Sequence, residues 1–316
     1  MAGNRNNNDQ VTAFAPATVA NLGPGFDVLG LALEGAGDTV TARLTGDDGV
    51  TITRLDGVED GALPTSAEQN TAGVAAAATL RLAGVDAGLE LELTKGLPLG
   101  SGLGSSAASA AAAAMATNLV LGAPLRKADL VAPCLEAEAV VSGRHADNVA
   151  PAILGGLVLV RSVAPLDLVR LPLPEGLFVV VVTPALEVST RAARGCLAPQ
   201  VPLSAVVHNS ANLAGLISAC HSGDLALLAR CVRDEVAEPA RAALIPGARK
   251  VMDAALEVGA LGSSISGSGP SIFALCPSER IAGDVAAAMG ATFSDHDLQS
   301  SDIISPAECP GARRLS

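Results

Sequence analysis

The sequence predicts a mixed fold of helices and strands, α/β or α+β in class, and three observations carry that prediction. Residues 89–94, LELELT, alternate apolar and polar side chains without a break, the two-residue period of a half-buried strand. Residues 107–121 are dominated by alanine, the strongest helix former, and follow a glycine-rich loop. Strand-like and helix-like segments then alternate through both halves of the chain.

Taken in order, residues 11–14 read as a first strand, and 39–44 and 49–54 as half-exposed strands. Residues 70–83 read as a helix with Asn70 at its cap, alanine through its body and Gly84 at its stop. Strand 89–94 leads into the glycine loop, 96–106, and the alanine helix that ends near Gly122 and Pro124. A further helical stretch reaches about Ser142, with a break expected at Pro133. Residues 155–163 and 177–182 are apolar runs of strand length. Between them lies VAPLDLVRLPLPEG, whose prolines and glycine mark an expected boundary between a domain at 11–165 and one at 166–312. Helices follow near 205–221, 224–236 and 247–258; Asp224 suits the cap of the second, Pro246 precedes the third and Gly259 closes it. Residues 263–276 read as strand, Gly-Ser turn and strand, 280–289 as a last helix, and the tail as irregular.

Composition narrows the function. Apolar residues make up 49% of the 316-residue chain and charged residues 16%, which excludes a mainly disordered protein. The net charge of −12 and the absence of Trp and Tyr argue against nucleic acid or an anionic membrane as partner. The six cysteines form no CxxC pair and no metal-ligand cluster, so they read as reduced thiols. No apolar signal segment opens the chain, and 107–121 is too weakly apolar to span a bilayer. A soluble protein of the cytoplasm is expected.

The central feature is PLGSGLGSSAASAAAAAM, residues 98–115, a glycine loop that opens a helix. Glycines allow close backbone approach to a ligand, and the helix start presents unpaired N–H groups and partial positive charge, together a cradle for phosphate. A Walker A loop would end in Gly-Lys-Ser/Thr, and no lysine stands there. A dinucleotide fingerprint needs GxGxxG, whereas this spacing is GxGxG.

PLGSGLGSSAA resembles the nucleotide loop of the GHMP kinases. Two more segments match that family in the same order: APATVANLGPGFDVLGLAL at 15–33 and SISGSGPSIFAL at 264–275. Within the family, ANLGPGFDVLG, HADNVAPAILGG (145–156), STRAARGCL (189–197) and EPARAALIPG (238–247) resemble the branch that phosphorylates L-homoserine. The resemblance implies a two-domain α+β fold, with an N-terminal domain like ribosomal protein S5, a C-terminal ferredoxin-like domain, and the ligands in the cleft between them. It implies ATP and L-homoserine as substrates, O-phospho-L-homoserine on the route to threonine as product, Mg²⁺ as the ion, and a homodimer. Two rivals stay open: a relative acting on mevalonate or a sugar, and a catalytically silent relative that binds a metabolite.

The same resemblance places site residues. The nucleotide falls to Pro98, Leu99, Gly100, Ser101, Gly102, Leu103, Gly104, Ser105, Ser106, Ala107 and Ala108, and Mg²⁺ to Ser106 and Glu138. Glu136 competes for the second position; two residues apart on a helix, only one of them can face inward. A zwitterionic amino acid needs an anion for its ammonium and cations for its carboxylate. Asn21 and Asp27 stand on the first side, Arg194 and Arg241 on the second, and Thr190 is a further contact. Asp27 either takes the hydroxyl proton or holds the ammonium, and the second is preferred. His145 and Asn148 are expected to position the hydroxyl or the γ-phosphate. Arg191 is expected on the surface, and His208, His221 and His296 match nothing.

Overall fold

The computed structural model describes residues 10–315. In chain order the elements are β1 (Gln10–Ala20), β2 (Leu29–Thr45), β3 (Val50–Asp56), α1 (Thr71–Ala83), β4 (Gly88–Thr94), α2 (Ser105–Val120), α3 (Val131–Val141), α4 (Val149–Leu154), β5 (Leu157–Val163) and β6 (Leu166–Leu171). There follow β7 (Phe178–Pro184), α5 (Thr190–Gly195), α6 (Leu203–Ser222), α7 (Leu225–Cys231), α8 (Glu238–Arg241), α9 (Ala248–Glu257), β8 (Gly262–Ile265), β9 (Ile272–Cys276), α10 (Glu279–Ser294), β10 (Ser300–Pro306) and β11 (Arg313–Arg314).

The first sheet has the order β11-β1-β2-β4-β3, with the β5-β6 hairpin joined to the start of β2. Its pairs are antiparallel except β3-β4. Leu89, Leu91 and Leu93 of β4 face the core while Glu90 and Glu92 face outward, so the strict alternation sets the register. Residues 107–118 of α2 are all buried. Their small side chains let α1, α3 and the sheet close on the helix from several sides.

The second sheet, β10-β7-β9-β8, is antiparallel throughout. Val179, Val181, Phe273 and Leu275 on one face meet β1, β2, α6 and α7, and Val180, Val182, Ile272 and Ala274 on the other meet α9 and α10. Burial on both faces explains why β7 is an unbroken apolar run. None of the helices among the described residues is long and apolar enough to cross a membrane.

Several boundaries differ from expectation. β1 and β2 extend to Ala20 and back to Leu29, because ATVA and LGLAL are buried on both faces and lose the alternating pattern. The expected break at Pro133 is absent: α3 starts at Val131, and Pro133 lies in its first turn, where no N–H is needed. The helix expected over 224–236 stops at Cys231. Beyond it the Asp234 carboxylate accepts the N–H groups of Val236, Ala237 and Glu238 and starts α8 instead. α10 runs on to Ser294, and the tail holds β10, a polar edge strand with little apolar pattern to announce it. The expected boundary at 165/166 falls in the turn of the β5-β6 hairpin, so the chain leaves the first sheet after Leu171.

Candidate active site

A cavity of about 270 Å³ opens at the head of α2, walled by the first motif, the glycine loop, the HADN segment, α5, Arg241 and the Gly-Ser turn. Gly100, Gly102 and Gly104 take left-handed φ values of 60°, 79° and 67°. A Cβ on Gly104 would stand 2.1 Å from Thr18 Oγ1, and one on Gly102 would stand 2.5 Å from the Ser266 carbonyl oxygen. Close approach demands glycine here as much as conformation does. α2 has no side-chain cap and no acid in its first turn, which leaves its leading N–H groups for an anion.

The Gly-Ser turn braces the loop. Ser266 Oγ donates to the Gly102 carbonyl at 2.7 Å, and Ser271 Oγ donates to that of Ser101 at 2.6 Å. Of the expected nucleotide residues, Leu99, Gly100, Ser101, Gly102, Gly104, Ser105 and Ser106 line the cavity. Leu103, Ala107 and Ala108 point into the core, and Pro98 is exposed off the cavity wall.

At the acceptor end, Asn21 and Asp27 hold left-handed φ of 73° and 60°, a conformation that Asn and Asp tolerate best among residues with a side chain. Asn21 Nδ2 donates to the Gly267 carbonyl at 3.1 Å, and its Oδ1 accepts the Asp27 N–H at 3.1 Å. Asp27 receives both terminal nitrogens of Arg194 and lies 3.4 Å from His145 Nδ1. Arg241 is buried and donates to the Gly267 carbonyl at 2.6 Å. Thr190 lines the rim, while Arg191 is exposed and off the wall. Asn148 Oδ1 accepts the Thr18 hydroxyl at 2.7 Å, directly beside Gly104.

Ser106 Oγ lies 2.9 Å from the carboxylate of Glu138, which Ser142 also contacts. Glu138 is 6% exposed and Glu136 points outward to Arg81 at 2.7 Å, so the inward carboxylate of the two is Glu138. His208 pairs with Glu235, His296 with the Thr292 carbonyl, and His221 is exposed; all three lie off the cavity wall.

Residues 70–156 match the GHMP kinases N terminal domain, and residues 216–295 match the GHMP kinases C terminal domain. A homoserine kinase of Arabidopsis thaliana is 50% identical over 85% of this chain and 75% of its own length. One from Chloroherpeton thalassium is 45% identical over 97% and 99%. The crystal structure of homoserine kinase from Cytophaga hutchinsonii superposes with a TM-score of 0.95 at 44% identity, covering 100% of both chains. The chain belongs to the homoserine kinases of the GHMP family.

In this GHMP kinase the titratable groups of the site are tuned by burial. Desolvation pushes the Glu138 carboxyl above its ordinary range, with Ser142 and Ser106 opposing. His145 is pushed down by burial, against the pull of Asp27. Asp147, 3% exposed, is pushed up to about 7 by burial and then by the charges of Asp27 and Glu138. Its Oδ1 has no hydrogen-bond partner among the described residues, yet Asp147 lines the cavity. Such an orphaned buried oxygen is costly and marks a place for a donor to arrive.

Sequence reasoning missed Asp147 although it lies inside the HADN motif, where its neighbours drew the attention. It also missed Lys95, which precedes the loop. The Lys95 ammonium meets Asp38 and donates to the Ser105 carbonyl and Ser109 Oγ, each at 2.8 Å. Asp38 in turn accepts the Gly96 N–H at 2.9 Å. This buried pair ties the end of β4 to the head of α2.

Proposed function

We propose that this GHMP kinase transfers the γ-phosphoryl group of ATP to the side-chain hydroxyl of L-homoserine, giving O-phospho-L-homoserine and ADP for threonine synthesis. The observation that carries this reading is a single cavity with two ends: an uncapped helix start for phosphates, and beside it the Asp27, Arg194, Arg241 and Asp147 cluster suited to a zwitterion.

Backbone N–H groups of the glycine loop and of α2 bind the phosphates. Arg194 and Arg241 take the substrate carboxylate. The ammonium goes to Asp147, whose free oxygen it satisfies, with Asn21 and Asp27 nearby; Asn21 and Asp27 were the expectation from sequence. His145 and Asn148 orient the hydroxyl. Its oxygen attacks the γ-phosphorus as the bond to the bridging oxygen breaks, and the electron pair leaves with ADP. Asp27 is engaged by Arg194, so the hydroxyl proton passes to solvent without a dedicated base, which a loose phosphoryl transition state permits.

Ser106 and Glu138 offer hard oxygen donors side by side, and Glu138 is a buried carboxylate whose hydrogen-bond partners are two serine hydroxyls. That set fits Mg²⁺, which these two residues would hold. When bound, the ion neutralises phosphate charge. We place the boundary between the two lobes after Leu171, read the protein as cytoplasmic, and carry the homodimer over from the family.

The test is coupled ADP release with L-homoserine, mevalonate and galactose in parallel. Release with homoserine alone is expected. Turnover of either other alcohol in its place favours a rival GHMP activity, and ATP binding with no turnover favours a silent relative.

A further inference from the structure

We propose that Phe26 is a positioning residue for carboxylate recognition: its ring backs both Arg194 and Arg241 and sets the aim of the two guanidinium groups. This rests on the homoserine reading and adds a residue that does not itself meet the substrate, since Phe26 is not on the cavity wall.

The guanidinium carbons of Arg194 and Arg241 lie 5.6 Å and 5.1 Å from the centroid of the same ring. Two cations this close in a half-buried place repel, and burial together with Arg194 weakens the hold of Arg241 on its charge. Asp27 compensates Arg194, but both hydrogen bonds of Arg241 go to backbone carbonyls, those of Ala193 and Gly267. The Arg194 Nε is buried without a partner among the described residues. Asp27 attracts Arg241 as well, without a hydrogen bond to it, and the negative face of the ring is a second feature that attracts both groups.

The backbone loop that carries the ring is itself held. Asn21 N–H donates to the Leu29 carbonyl at 2.8 Å, and Leu29 N–H donates to that of Gly25 at 2.9 Å, which closes the loop around Phe26. A Cβ on Gly25 would lie 2.6 Å from the Leu29 side chain, so the loop has no slack there.

The test compares Phe26→Leu, Phe26→Met and Phe26→Tyr in the full chain, reading KM for homoserine and for ATP together with the thermal midpoint. Leu and Met fill the space without a ring face, and each is expected to raise KM for homoserine about tenfold while KM for ATP moves less than about twofold. Tyr keeps the face and is expected to stay within about threefold of the parent. Unchanged homoserine KM in the Leu and Met variants overturns the inference, as do equal rises in both KM values or a Tyr variant as impaired as Leu. If Leu does not fold, the Met and Tyr pair decides. A parent enzyme without homoserine-dependent ADP release overturns the substrate reading and this inference with it; a working parent with an unaffected Leu variant overturns the inference alone.

Discussion

Arg194 grips Asp27 with both terminal nitrogens, Nη2 to Oδ1 at 2.8 Å and Nη1 to Oδ2 at 3.1 Å. The pair joins α5 to the loop after β1, so the acceptor end is assembled from segments 167 residues apart. On the proposed reading, a substrate carboxylate arriving at Arg194 would share the guanidinium with Asp27.

Arg194→Ala and Arg241→Ala are each expected to raise KM for homoserine about a hundredfold, the scale of a lost charge-assisted hydrogen bond, with little change in KM for ATP. Steady-state kinetics with each substrate varied in turn checks this. A main effect on ATP contradicts the assignment.

Ser106→Ala and Glu138→Gln are expected to lower kcat by about 10²-fold or more, because both act on the charge of the transferring group. The Gln variant keeps its fold and its thermal midpoint, since it removes a buried carboxyl that burial already disfavours as an anion. Ordinary turnover in Glu138→Gln would sink the metal assignment.

Asp147 gives the pH dependence its sign. Its folded pKa of about 7 lies above the ordinary carboxylate value of 3.8, so the folded state holds the proton more tightly than the unfolded one. Stability of the ligand-free protein therefore falls as pH rises through that window. Homoserine binding runs the other way: the ammonium needs the carboxylate, so KM for homoserine is expected to fall as pH rises from 6 to 8. Asp147→Asn is expected to flatten this limb, to bind homoserine poorly, and to melt no lower than the parent at pH 8. Thermal melts and kinetics over that range check both trends, and a Asn variant with the parent's pH profile contradicts them.

Gly104→Ala is expected to raise KM for ATP at least tenfold and to cost about 1–3 kcal/mol of stability. The added methyl meets Thr18 and Asn148, at a φ that disfavours any side chain. Urea unfolding alongside ATP kinetics measures the two effects separately.

Much of the fold was legible because its cues are local. Leu89–Leu93 alternate, Asn70 caps α1 by accepting the Ala72 N–H, and Gly84 ends that helix in the left-handed region. The cues failed where burial on both faces erased the alternation, as in the start of β2, and where one carboxylate captured the backbone N–H groups just after it, as Asp234 does before α8. The glycine loop, Glu138, Arg194 and Arg241 were legible from motifs. That Asp27 would be held by Arg194, and Asp147 left with a free oxygen, depends on contacts between distant segments. Spacing along the chain carries no trace of them.

The most direct measurement is a crystal structure with a non-hydrolysable ATP analogue and L-homoserine. The account predicts the triphosphate against the N–H groups of residues 99–108, with its γ-phosphate facing the homoserine hydroxyl and the carboxylate on Arg194 and Arg241. A triphosphate bound elsewhere, or a homoserine turned with its carboxylate toward Asp147, would contradict it.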